Sequence, residues 1–96
     1  MTYEEFKLFA TGITTEPGVY RFLDSKGVIL YVGKAKNLKN RLNSYFGDKK
    51  YITGKTKALT KSAHKIEFTI VETEHDALLL EATLIKKNQP RYNVML

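Results

Sequence analysis

The stretch Pro17-Gly18-Val19-Tyr20-Arg21-Phe22-Leu23-Asp24-Ser25-Lys26-Gly27-Val28-Ile29-Leu30-Tyr31-Val32-Gly33 decides the reading of this chain. Two runs rich in β-branched and aromatic residues, Val19–Leu23 and Val28–Val32, flank a four-residue polar connection ending in Gly27. That pattern predicts a β-hairpin, with Gly27 free to take a positive φ. Gly33 is expected to break the second strand. Tyr20 begins one strand and Tyr31 ends the next, so both phenols are expected to face one spot. Each stands near a glycine, Gly18 or Gly33, where a missing side chain would admit another backbone or a phosphate. A tyrosine alone is an ordinary strand residue; two so placed carry more weight.

Outward from the hairpin, helices are expected on both sides. Thr2–Thr11 has Phe6, Phe9 and Ala10 on one side and ends at Gly12. Asn37 can cap a helix over Leu38–Phe46, with Leu38 and Leu42 burying it and Arg41 and Tyr45 sharing a face. Gly47–Gly54 reads as a basic loop, Lys55–Ala63 as a further helix and Ile66–Val71 as a third strand. Thr73 and Asp76 resemble a capping box opening the longest helix, Glu74 to about Asn88, which Pro90 stops. Arg91–Leu96 is expected as an extended tail. The fold class is α+β, a small antiparallel sheet covered by helices.

Ninety-six residues suit one domain with one modest core. With no cysteine, a disulfide framework, a cysteine-based zinc site and a thiol nucleophile are all excluded. The first residues lack the pattern of a signal peptide and no run is long enough to span a membrane, so a cytoplasmic protein is expected. The net charge is +6, and its distribution says more than its size. Lys34–Lys65 holds ten Lys/Arg against one acid, whereas the segments before and after are slightly acidic. Such concentration favours a polyanionic partner over a merely solvated surface.

Glu81 interrupts the apolar run Leu78-Leu79-Leu80-Glu81-Ala82-Thr83-Leu84-Ile85. A carboxylate beside a buried stripe is costly unless a basic group or a metal ion meets it. Helix geometry alone leaves open that Glu81 marks the solvent edge. Arg41 can aim a planar fork at a phosphate or simply lie over apolar surface. His64 and His75 have no metal-ligand spacing and read as surface residues.

Together these residues resemble the GIY-YIG nuclease family. The two signatures stand here as Gly18-Val19-Tyr20 and Tyr31-Val32-Gly33, followed by Arg41 and Glu81 on later helices. Within the family the chain is most similar to the UvrC-type N-terminal domains. That likeness rests on Pro17–Tyr20, Tyr31–Leu38, Arg41-Leu42, Ser44–Phe46, Glu81, Ile85-Lys86 and Gln89–Asn93. Valine replaces isoleucine in both signatures, a conservative change.

The resemblance implies a β-β-α-α-β-α core, hydrolysis of a DNA phosphodiester and one divalent ion, Mg²⁺ or Mn²⁺, with Glu81 as its protein ligand. It implies the 3′ cut in nucleotide excision repair on double-stranded damaged DNA, with UvrB and the remainder of UvrC as partners. A chain ending at Leu96 is then expected to be one domain excised from a longer protein. Tyr20, Tyr31, Lys34, Arg41, Tyr45 and Asn93 are the implied catalytic set, Tyr31 being the favoured base and Asn93 orienting a tyrosine or a water. Lys34, Lys36, Lys39, Lys49, Lys50, Lys55, Lys57 and Lys61 would hold the DNA backbone. The competing expectations are a DNA-binding module of this fold that does not cut, and a stand-alone nuclease of the same family.

Overall fold

A computed structural model of the chain describes residues 1–47 and 53–94. The hairpin forms as the sequence predicts, from β1 (Gly18–Leu23) and β2 (Ile29–Ala35), joined antiparallel. In the connection, Asp24 Oδ1 accepts from the N–H groups of Lys26 and Val28, and Gly27 takes φ 81°. β3 (Lys65–Ile70) pairs antiparallel with the other side of β1, giving the order β2-β1-β3. The central strand is therefore buried on both faces, which explains a sequence apolar at every position but Arg21.

Gly33 does not end β2. It lies within the strand, opposite Tyr20. With no side chain of its own, it makes room for the Tyr20 ring: a Cβ there would overlap the Tyr20 hydroxyl and ring carbons. Gly18 likewise faces the Thr69 carbonyl and the tip of Leu38. Both glycines thus admit the protein's own atoms, and at Gly33 the visitor is an aromatic ring.

The two faces of the sheet carry separate cores. Tyr20 and Phe22 point to one face, where they meet Phe6 of α1 (Tyr3–Ala10), Leu38 and Leu42 of α2 (Leu38–Tyr45), and Leu59 of α3 (Gly54–Ser62). Val19 and Val32 point to the other, under Ala77, Leu80, Leu84 and Ile85 of α4 (Glu74–Asn88). Side chains at Thr2, Asn37, Thr53 and Thr73 accept N–H groups at the starts of α1 to α4. Leu38 and Lys39 also donate their N–H groups to the Glu16 and Thr14 carbonyls, which pins α2 to the turn before β1.

The expected extended tail is instead α5 over Arg91–Val94, described as far as Val94. Gln89 ends α4 in the left-handed region at φ 44°, and Pro90 turns the chain inward. Tyr92 joins the first core. Asn93 lies along the free edge of β2, its Oδ1 accepting from Val32 N–H at 2.8 Å and its Nδ2 donating to Val32 C=O at 3.0 Å. An edge strand with both outward groups satisfied by one amide is closed to further pairing at that point.

Gly33→Ala should be destabilising by about 1–3 kcal/mol, because the added methyl must displace a fully packed ring. Urea denaturation measures it. Retained stability would mean that Tyr20 can leave its place over Gly33.

Candidate active site

The hairpin register brings the tyrosines together in a way the sequence did not specify. Tyr20 pairs with Gly33, and Tyr31 with Phe22, so the two rings are diagonal neighbours on one face, not facing strand ends. Their centroids lie 6.3 Å apart. Tyr45, at the end of α2, completes the cluster at 5.7 Å from Tyr20 and 6.5 Å from Tyr31. The Tyr20 and Tyr45 hydroxyls are hydrogen-bonded at 2.6 Å. Tyr31 keeps part of its surface in solvent, and the Lys55 ammonium stands over its ring at 5.6 Å.

Burial determines what these phenols can do. It pushes Tyr20 far above its ordinary value, and the neighbouring Tyr45 adds to the rise. Tyr45 is pushed up to about 12, again by burial, with the Tyr20 hydrogen bond acting the other way. Arg41 lowers both, but as the smallest cause in each case. Tyr20 and Tyr45 are therefore protonated at neutral pH, and one hydroxyl donates to the other.

Arg41 is exposed and lines an open groove of about 640 Å³ with Lys34, Asn40 and Ser44 on one side, and His75, Ala77 and Leu78 of α4 on the other. Lys36, just after β2, and Glu74 in the first turn of α4 form an exposed ion pair, with N···O 3.4 Å. Glu81 stands one turn beyond Ala77 on the inward side of α4, among Ala77, Leu80, Leu84 and Ile85. Its carboxylate is half-buried and has no hydrogen bond or ion pair among the described residues. It is not at the solvent edge, the position that helix spacing had left open. Nor does any group of three or more His, Cys, Asp or Glu lie close enough to hold a metal among the described residues. A metal here would have one carboxylate, which fits Mg²⁺, an ion that keeps most of its waters.

Asn93 stands at the edge of β2, beside the tyrosine cluster's own strand. Both ends of its amide are engaged by the Val32 backbone, between Tyr31 and Gly33, so it holds the strand that presents Tyr31. Of the other predicted cations, Lys39 is exposed on α2, while Lys57 and Lys61 line a second cleft against α1 and Tyr45. Lys49 and Lys50 lie outside the described residues. The groove residues His75 and Leu78 escaped the sequence reading. The available signal was Leu78-Leu79-Leu80, three leucines in a row on a helix, not all of which can face inward.

The sheet order, the tyrosine cluster and the isolated glutamate define a GIY-YIG domain. The sequence profile described as the UvrC-like GIY-YIG domain matches residues 16–94. UvrABC system protein C of Legionella pneumophila strain Paris is 53% identical over 93 residues, covering 96% of this chain and 15% of that protein. Its counterpart in Lawsonia intracellularis is 55% identical over 86 residues, covering 90% of this chain and 14% of that protein. The chain thus spans about one-seventh of the length of the curated relatives it matches. The crystal structure of the GIY-YIG N-terminal endonuclease domain of UvrC from Thermotoga maritima, bound to magnesium as its catalytic divalent cation, matches with TM-score 0.82 at 40% identity. The match covers 93% of this chain and 96% of that one. The chain belongs to the UvrC-like GIY-YIG domain family.

The raised tyrosines make stability fall in alkali. Above about pH 10 the folded chain retains protons that the unfolded chain releases. Stability is full below that pH and declines as pH rises toward about 12, where Tyr45 titrates, and beyond for Tyr20. Urea midpoints at about pH 8 and 11 should show the decline, and Tyr45→Phe should lessen it. An equal decline in that variant would contradict the assignment.

Proposed function

We propose that this chain is a DNA endonuclease domain that hydrolyses a phosphodiester with one divalent metal ion, Mg²⁺ or Mn²⁺. The observation that carries the proposal is half-buried Glu81, without a hydrogen-bond or ion-pair partner among the described residues, one helical turn beyond Ala77 of a groove whose opposite wall is basic. Family membership supports it, as does the solved Thermotoga maritima domain, called an endonuclease and bound to magnesium. Related crystal structures of that domain carry Tyr→Phe or Asn→Ala changes with the cation bound, and this chain has three clustered tyrosines and Asn93 at the corresponding kind of site.

Glu81 would hold the ion, and the ion would polarise the scissile phosphate and stabilise the leaving 3′ oxygen. The chain's own residues supply the rest. Tyr31 is half-buried, like Tyr45, and has the Lys55 ammonium over its ring at 5.6 Å. In its phenolate form Tyr31 would take the proton from the attacking water. Tyr45 and Tyr20, held protonated by burial, fix the cluster's geometry. Arg41 and Lys34 neutralise charge growing on the phosphate oxygens. The remaining lysines hold the DNA backbone without reading its sequence.

In the whole protein this activity makes the 3′ incision during bacterial nucleotide excision repair, on damaged duplex DNA delivered by UvrB, in the cytoplasm. The shared name of the curated relatives, UvrABC system protein C, supports that assignment. No helix of the described residues is long and apolar enough to cross a membrane.

Three variants test the reading in the full-length protein with UvrB-loaded lesion DNA. Glu81→Gln should lower 3′ nicking by about 10²–10³ or more and leave DNA affinity within about twofold. Arg41→Ala should lose about 10²–10³ in rate. Lys34→Ala should reduce the dependence of log affinity on log salt by about one. Undiminished nicking by Glu81→Gln would overturn the proposal. DNA binding without nicking in the wild type would favour the non-cutting module.

A further inference from the structure

The groove between α2 and α4 has two unlike walls. Lys34 and Arg41 make one side basic, as a phosphate requires. The other side is Glu74, which pairs with Lys36, then His75, Ala77 and Leu78, and it offers a phosphate no lysine or arginine. Leu78 leaves 48% of its surface exposed, although Leu80 and Leu84 on the same helix pack against the sheet. A groove with an aliphatic side chain on one wall and cations on the other suits a ligand that is charged on one side and apolar on the other.

A nucleotide has that character, with phosphate on one flank and sugar and base on the other. The volume, about 640 Å³, suits one small ligand unit and is too small for a duplex. Proteins that unstack DNA do so with apolar side chains such as leucine, and unpaired bases stack on planar rings such as imidazole. An exposed ion pair between Lys36, just after β2, and Glu74 spans the groove at the start of α4.

We infer that this groove receives one nucleotide of the cut strand, next to the scissile phosphate and drawn out of its stack. Its phosphate lies on Lys34 and Arg41, and its sugar and base lie against Leu78 and His75. The inference rests on the nuclease reading and adds a demand on the substrate: the strand must open locally before it can be cut. The cost of opening is smallest for a mispaired base.

The experiment uses the full-length protein on UvrB-loaded lesion DNA, with 2-aminopurine placed in turn at each position flanking the 3′ cut. A second DNA series carries a mismatch at the same positions. At one position, adding wild-type protein should brighten 2-aminopurine beyond the level with UvrB alone. A mismatch there should speed single-turnover cutting by at least about tenfold. Leu78→Ser, which changes only a half-exposed side chain, should lose the brightening and cut paired DNA about tenfold more slowly, and the mismatch should restore most of that loss. His75→Ala should act in the same direction. Unchanged fluorescence at every flanking position, with equal rates on paired and mispaired DNA, would overturn the inference while leaving the nuclease reading intact. If the wild type binds but never cuts, the nuclease reading fails instead, and the fluorescence still decides whether the groove takes a nucleotide.

Discussion

The Tyr20 ring lying over Gly33 is the contact on which the rest depends. It exists because β1 and β2 are in a register that puts the largest residue of one strand opposite the smallest of the other. That placement buries Tyr20 and turns its hydroxyl toward Tyr45, and the 2.6 Å hydrogen bond fastens the end of α2 to the sheet. Arg41 lies one turn back along α2 and is positioned by the same attachment. Tyr31, two residues before Gly33, is left half-buried at the side of the cluster, as Tyr45 is. A single strand pairing thereby makes one of three chemically identical side chains fully buried and leaves the other two in reach of solvent.

The second organising fact is the division of the chain between the two sheet faces. The tyrosine face packs against α1, α2 and α3, which bring Arg41 and five lysines. The valine face packs against α4, which brings the glutamate. β2 lies at the edge of the sheet, and Asn93 secures it there from outside. Positive charge on α2 and a carboxylate on α4 are thus held on different supports, with the groove between them. Had Glu81 stood among the lysines it would have been neutralised by an ion pair; on α4 it stays free to meet an ion.

Much of this was legible in the residues. The hairpin, the helix caps and the order of elements follow from local patterns, and local hydrogen bonds do enforce them at Asp24, Asn37 and Thr73. The glutamate stood out because a charge within an apolar helical run needs a reason. What escaped the reading depends on contacts between distant residues. Gly33 looked like a strand breaker, because its fitness for the strand comes from a ring on the neighbouring one. The tail looked extended, because the helix at Arg91–Val94 is held by Tyr92 in the core and Asn93 at the edge. Asn93 looked like a group for orienting a tyrosine or a water, whereas both ends of its amide are used by the backbone. The hydroxyl pair Tyr20–Tyr45 spans 25 positions, and its burial, which reverses the expected effect of nearby cations, has no local signature.

The claim at the centre of this account is that Glu81 alone among the chain's side chains binds the metal. Crystals grown with Mn²⁺, which anomalous scattering identifies unambiguously, test it directly. The account predicts a single manganese about 2.1 Å from a Glu81 carboxylate oxygen, the remaining positions filled by water, and its loss in Glu81→Gln. A manganese bound elsewhere, or one that persists at the same place in that variant, would contradict it.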